Sequence, residues 1–142
     1  MGSIYSVSCK DKNCGYHKEL REGCGMLGFA EMMNFREALL NNESINTTAC
    51  EKLKNGAKIM TKGIYLCQKC EDFKTSNIYF LLENFTESPL GTVRYDIAFP
   101  FGNPICDICN SELIYIKNIL SSKVKCPKCG SDLKARMIGN TD

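Results

Sequence analysis

The sequence predicts an α+β protein made of two small lobes of antiparallel hairpins, the first carrying an α-helical insertion. Ten of the 142 residues are cysteine, and six of these form three C-x2-C pairs. Short segments of alternating apolar and polar residues between the pairs indicate strands, and one longer segment has helical spacing. Because lobes of this size bury little core, a bound metal is the expected stabilising element.

The composition excludes several classes of protein. The chain is 44% apolar with a formal net charge of +2, which is too apolar and too weakly charged for a disordered chain. No apolar run approaches the about 20 residues of a membrane-spanning helix. The N-terminal residues lack the basic and apolar regions of a secretory signal. We therefore expect a cytoplasmic protein with reduced cysteines, and metal binding would explain their number.

The last four cysteines follow a metal-binding spacing. Cys106 and Cys109 form one C-x2-C pair, Cys126 and Cys129 form another, and 16 residues separate the pairs. Two residues between thiolates allow a tight turn that places both sulfurs about 2.3 Å from one tetrahedral ion. Gly130 can adopt the left-handed conformation that follows such a turn. The spacing therefore groups these four cysteines around one zinc ion.

The remaining C-x2-C pair, Cys67 and Cys70, needs two further ligands. Cys9 and Cys14 precede it and have four residues between them, the upper end of the usual spacing. Grouping these four predicts a second zinc site, with residues 15–66 as an insertion between its halves. Four cysteines per ion, twice, give two zinc ions per chain.

Three further candidate ligands are interpreted as bystanders. Cys24 lies between two glycines and is expected to be a small buried residue in a tight bend. Cys50 is expected in the core of a short helix. His17 is interpreted as a surface residue, and its replacement of Cys9 as a ligand is the alternative.

Two helices are predicted within the insertion. Apolar residues within 26–40 recur at helical spacing, and the asparagines that follow end the pattern. A second, shorter helix is predicted from Thr48 and Glu51, which fit a capping box, with Gly56 just after its end.

Strands are predicted elsewhere. The segments concerned are 4–8, 57–66, 73–83, 93–99, 113–116 and a final strand through 133, 135 and 137. The segment 113–116, a turn at 118–123 and the final strand suit a hairpin within the last lobe. Residues 100–104 contain two prolines and are interpreted as a linker. The predicted domains are therefore 1–100, a split lobe with the helical insertion, and 101–142, a C-terminal lobe.

Several short motifs in this order resemble small bacterial zinc-ribbon proteins of unassigned function. They are CGYHKE at 14–19, GCGM at 23–26, YLCQKC at 65–70 and two C-terminal C-x2-C pairs, the second within CPKCG at 126–130. The resemblance spans most of the chain. It implies a split N-terminal ribbon with a helical insertion and a C-terminal ribbon, both rubredoxin-like, and it implies no activity.

The pattern predicts a protein that is not an enzyme. A zinc ion held by four cysteines has no open coordination position for water or substrate. A single histidine cannot build a three-ligand catalytic cluster, and no nucleophile or phosphate-loop motif occurs. The leading interpretation is a zinc-binding module with two structural sites and a protein partner, in an adaptor role.

Two alternatives remain open. The first is nucleic-acid binding through the C-terminal lobe, whose basic residues are Lys117, Lys123, Lys125, Lys128, Lys134 and Arg136. Eight thiolates and two zinc ions would bring the net charge to about −2, which confines this alternative to that lobe. The second is a rubredoxin-like redox protein, because four thiolates also hold a single iron.

Overall fold

The computed structural model describes residues 2–42 and 46–141. Over these residues the chain forms two helices and seven strands in two antiparallel sheets, which confirms the α+β prediction. The elements are β1 (Gly2–Cys9), β2 (His17–Gly23), α1 (Met26–Asn41), α2 (Thr47–Lys54), β3 (Lys58–Cys67), β4 (Asp72–Glu87), β5 (Val93–Ala98), β6 (Ile114–Ile116) and β7 (Leu133–Thr141). None of the described helices is long and apolar enough to cross a membrane.

The first sheet joins the two ends of the chain. Its strand order is β2–β1–β7. Strands β1 and β2 form a hairpin closed by the pair Ser8 and His17, and the turn beyond this pair carries Cys9 and Cys14. On the other side of β1, β7 runs antiparallel from the pair of Cys9 and Leu133. The final strand predicted from the sequence therefore lies beside the first.

The second sheet has the strand order β5–β4–β3–β6. Strands β3 and β4 form a hairpin closed by the pair Cys67 and Asp72. The short strand β6 adds to the free side of β3, with Tyr115 opposite Tyr65. Each sheet thus contains a hairpin with a cysteine turn and, beside the first strand of that hairpin, a strand from the C-terminal part of the chain.

Strands β6 and β7 do not pair with each other. The hairpin predicted within 101–142 is wrong, because β6 pairs with β3 and β7 pairs with β1. Both sheets therefore contain strands from either side of residue 100. The independence of 1–100 and 101–142 as domains stays a prediction.

A shared core holds the two sheets together. Val7 and Leu20 from the first sheet pack with Ile64 and Phe73 from the second, and all four are at most 1% exposed. A separate cluster places the helices against the second sheet through Met32, Leu39, Cys50, Leu53 and Leu81. Burial of several such side chains, each contributing about 1.5–3 kcal/mol, makes both contacts substantial.

Strand β2 was not predicted, and the cap of α2 was predicted at the wrong residue. Six of the seven residues of β2 are polar or glycine, so only the burial of Leu20 distinguishes it as a strand. The helix begins after Asn46, whose side chain accepts a hydrogen bond from the Ala49 amide at 3.0 Å, so the predicted capping box of Thr48 and Glu51 is absent. The end of α2 is as predicted, with Gly56 at φ 96°.

Candidate metal centres

Four short turns present the eight cysteines predicted as ligands. They span residues 9–14, 67–70, 106–109 and 126–129 and are called turns 1 to 4. After the second cysteine of each turn the next residue has a positive φ, namely Gly15 (68°), Glu71 (52°), Asn110 (58°) and Gly130 (76°). This left-handed residue lets the chain leave the turn without obstructing the sulfurs.

The same backbone geometry directs amide groups toward the sulfurs. The Cys70 amide donates to Cys67 Sγ at 3.4 Å, and the Asp11 amide donates to Cys9 Sγ at 3.4 Å. Amide donors of this kind stabilise a thiolate, which is the form of cysteine that binds metal.

Turns 1 and 4 meet to form the first cysteine group, called site 1. It contains Cys9, Cys14, Cys126 and Cys129. The sulfurs of Cys9 and Cys129 are 3.4 Å apart, and those of Cys14 and Cys126 are 3.8 Å apart. Cys126 is buried and Cys129 is exposed, so this group lies at the surface of the first sheet.

Turns 2 and 3 meet to form the second group, called site 2. It contains Cys67, Cys70, Cys106 and Cys109. The sulfurs of Cys67 and Cys109 are 3.4 Å apart, and those of Cys70 and Cys106 are 3.9 Å apart. Two of its four cysteines are buried, which makes this group the less accessible of the two.

The pairing of turns predicted from the sequence is therefore wrong. We expected turn 1 with turn 2 and turn 3 with turn 4, whereas the structure places site 2 between the two halves of site 1 along the chain. The cause is strand pairing. The strand that follows turn 3 joins the hairpin of turn 2, and the strand that follows turn 4 joins the hairpin of turn 1.

A sequence repeat surrounds turns 3 and 4. Residues 106–113 and 126–133 share the pattern C-x2-C-[N/G]-S-[E/D]-L. The backbone repeats as well, since the Cys106 amide donates to the Ser111 carbonyl and the Cys126 amide to the Ser131 carbonyl, both at 2.8 Å. Turns 3 and 4 are therefore equivalent half-sites, and in the structure each is completed by the hairpin turn of a different sheet.

Both groups have the dimensions of a tetrahedral zinc site. With Zn–S bonds of about 2.3 Å, a regular tetrahedron has sulfurs about 3.8 Å apart. The four sulfur–sulfur distances given above lie between 3.4 and 3.9 Å, and all ligand atoms within a group lie within 4.8 Å of one another. Cys9, Cys14, Cys126 and Cys129 would hold one ion, and Cys67, Cys70, Cys106 and Cys109 the other.

The thiols of each group differ in pKa in a way that suits a shared cation. Hydrogen bonds from the side chain and backbone of Ser111 lower the pKa of Cys109 to about 6, and Ser131 does the same for Cys129. The pKa of Cys70 is raised to about 12, first by its hydrogen bonds with neighbouring cysteines and then by burial. Four sulfurs this close cannot all ionise without a positive charge among them.

A polar link connects the two groups. Tyr16, which follows turn 1, donates from its hydroxyl to Asp72 Oδ1 at 2.6 Å, and Lys18 Nζ donates to Asp72 Oδ2 at 2.7 Å. Asp72 follows turn 2. Burial alone would raise the pKa of Asp72, but the hydrogen bonds from Lys18 and Tyr16 outweigh it and lower the pKa. The link therefore holds the exits of turns 1 and 2 in one arrangement.

The three residues interpreted as bystanders lie outside both groups. Cys24 is buried beside Gly28 of α1. Cys50 is buried in the helical core, where its sulfur donates to the Leu39 carbonyl at 2.8 Å. His17 is exposed, with Nε2 3.3 Å from Ser6 Oγ.

Comparison with known proteins does not extend this picture. No protein-family model matches the chain, and no significant match occurs among curated proteins or solved structures. The two four-cysteine groups support a zinc-ribbon-like interpretation of the sites. The resemblance to a particular bacterial family stays a prediction.

Proposed function

We propose that the chain is a non-catalytic module whose two closed four-cysteine sites each hold one structural zinc ion. The observation that carries the proposal is the meeting of two cysteine turns, from distant parts of the chain, at the sulfur spacing of a zinc tetrahedron in each group. Because protein sulfurs occupy all four positions, neither ion would offer a place for water or substrate. Zinc would serve to fix the first sheet at site 1 and the second sheet at site 2.

The proposed biological role is that of an adaptor for another macromolecule. Exposed apolar side chains at the start of α1 support a protein partner, since Met26 is 81% exposed, Leu27 85% and Phe29 51%. Only the later part of this helix packs into the core, through residues such as Met32 and Leu39. Exposed apolar patches of this kind mark interaction sites in many proteins.

Metal analysis of protein purified without added metal tests the proposal. Two zinc ions per chain are expected, and removing them with a chelator should unfold the protein, because the ions supply much of the folding free energy. A red iron-containing form that bleaches on reduction would instead favour the rubredoxin-like alternative. A metal-free protein that keeps its fold would refute the proposal.

A further inference from the structure

The outer face of the first sheet gathers polar and basic side chains from three strands. Ser8 lies opposite His17 on β2 and Lys134 on β7, and Ser6 lies opposite Arg136 on β7. Alternate residues of a strand point to opposite sides of its sheet. Because Val7, between the two serines, is buried in the core, both serines and their neighbours lie on the opposite, outer side.

These five residues line one shallow cavity of about 230 Å³. Its lining is Ser6, Ser8, His17, Lys134 and Arg136, and so contains no apolar side chain. Two hydroxyls, an imidazole, an ammonium and a guanidinium can all donate hydrogen bonds. A surface with so many donors and two fixed positive charges matches the chemistry of a phosphate group.

The positive charges of this face are not neutralised by neighbours. Within the described part of the chain, no acidic side chain pairs with Lys134 or Arg136. The acidic residue on the same face, Glu19, lies 3.5 Å from Arg21. Lys18 is different, because Asp72 holds it at 2.7 Å on the inner side.

The basic and acidic residues of the whole chain are also unevenly distributed, with the excess of basic residues in the part that contains this face. Residues 2–23 and 118–141, which build the first sheet and site 1, contain nine Lys and Arg and four Asp and Glu. The remaining residues contain nine Lys and Arg and twelve Asp and Glu. Four thiolates and one zinc ion change the charge of each part by −2. The first part would then carry a net charge of +3 and the other part a net charge of −5. The net charge near zero therefore hides a basic end that can attract an anionic polymer.

We propose that this outer face of the first sheet binds the phosphate backbone of a nucleic acid. The inference rests on the proposed function, because site 1 would hold the ends of β1 and β7 that present the face. Lys134 and Arg136 are two residues apart on one strand, about 6.7 Å along it, so they can contact successive phosphates rather than one ion.

Binding should not depend on base sequence. The five lining residues include no Phe, Tyr or Trp, whose large rings are the usual stacking platforms for bases. Contacts to phosphates alone position a protein on the strand and carry no sequence information. The expected ligand is therefore any single strand or duplex that can lie along the face.

The experiment measures binding of the zinc-loaded protein to a labelled 20-nucleotide single-stranded DNA between 50 and 200 mM salt. With two or three phosphate contacts on a single strand, the log–log salt slope should lie between about −1.4 and −2.1. In the variant Lys134→Gln/Arg136→Gln the magnitude of the slope should fall by at least 1, and the affinity at 50 mM salt by at least tenfold. The control Lys58→Gln/Arg94→Gln removes the same charge from exposed positions of the second sheet and should bind like the parent.

The zinc content of each protein separates this inference from the proposed function. A parent with two zinc ions that binds no DNA at 50 mM salt would overturn the phosphate face and leave the zinc sites standing. Equal weakening in the control would also overturn it, as would binding to phosphatidylserine vesicles without binding to DNA. If the double variant loses zinc, the single variants Lys134→Gln and Arg136→Gln replace it, each with about half the expected change in slope.

Discussion

The nested pairing of the cysteine turns can be tested with pairs of Cys→Ser substitutions. Cys9 and Cys126 lie in the same group in the structure, whereas linear spacing along the chain assigns them to different groups. The variant Cys9→Ser/Cys126→Ser should therefore lose one zinc ion and keep the other. The variant Cys9→Ser/Cys67→Ser removes a ligand from each group and should lose both.

The size of the effect follows from the geometry. All four sulfurs of a group lie within 4.8 Å of one another, so the first substitution already removes one corner of the tetrahedron. A structural zinc site contributes about 10–16 kcal/mol of apparent binding free energy. A second substitution in the same site should cost little further metal-binding free energy, because that site has already lost its ion. A substitution in the other site should cost a comparable amount again. The two double variants should therefore differ by one zinc ion per chain and by about 10 kcal/mol or more in metal-binding free energy.

The assay is zinc stoichiometry of purified, desalted protein, with thiol titration as a second readout. The single variant Cys9→Ser is the control and should retain one ion, which shows that one site survives loss of the other. The refuting result is the reverse order, with no zinc in Cys9→Ser/Cys126→Ser and one zinc in Cys9→Ser/Cys67→Ser. That outcome would restore the pairing of turn 1 with turn 2.

Three further predictions concern stability and are measured by chemical denaturation of the zinc-loaded protein. Glu71 has φ 52°, so Glu71→Gly should stabilise the fold by about 0.5–1 kcal/mol, and a loss of stability would contradict the strain at this turn. Asp72→Asn should lower the free energy of unfolding by about 1–2 kcal/mol at neutral pH and by less in acid. The reason is that the pKa of Asp72 is lowered, so its carboxylate stabilises the fold only while it is ionised. An equal cost at all pH values would be inconsistent with this. Partial burial raises the pKa of the half-buried Glu22 to about 7. Stability should therefore fall relative to Glu22→Gln as pH rises from about 4.5 to 7, and parallel pH profiles of the two proteins would argue against this desolvation.

The sequence identified the eight cysteines that form the sites, but not which four belong to each site. Spacings of two and four residues mark pairs of thiolates that can share an ion, because this relation is local to a turn. The structure brings together the same eight cysteines that the spacings selected. Which two turns meet is a long-range relation, and the 16-residue separation of turns 3 and 4 favoured the wrong partners.

The secondary structure likewise divides into elements that local sequence predicts and elements that depend on tertiary contacts. The extent of helix α1 and of most strands was predictable, because helical spacing and strand alternation are relations between neighbouring residues. Strand β2 was not, since its polar side chains are compatible with a strand only when β1 lies beside it and Leu20 has a core to enter. The cap at Asn46 also depends on where the helix begins, which the pattern at Thr48 misplaced by two residues.

The sequence by itself determined which eight cysteines lie in short turns, because spacings of two and four residues are local facts. Only the tertiary structure decided how the turns combine. Strands β6 and β7 each had two hairpins available. In the structure β7 lies beside β1, where Leu133 and Ala135 pack against the core that contains Val7, and β6 lies beside β3, where Tyr115 packs against Tyr65. That choice also placed Lys134 and Arg136 beside Ser6, Ser8 and His17, residues more than a hundred positions away in the chain.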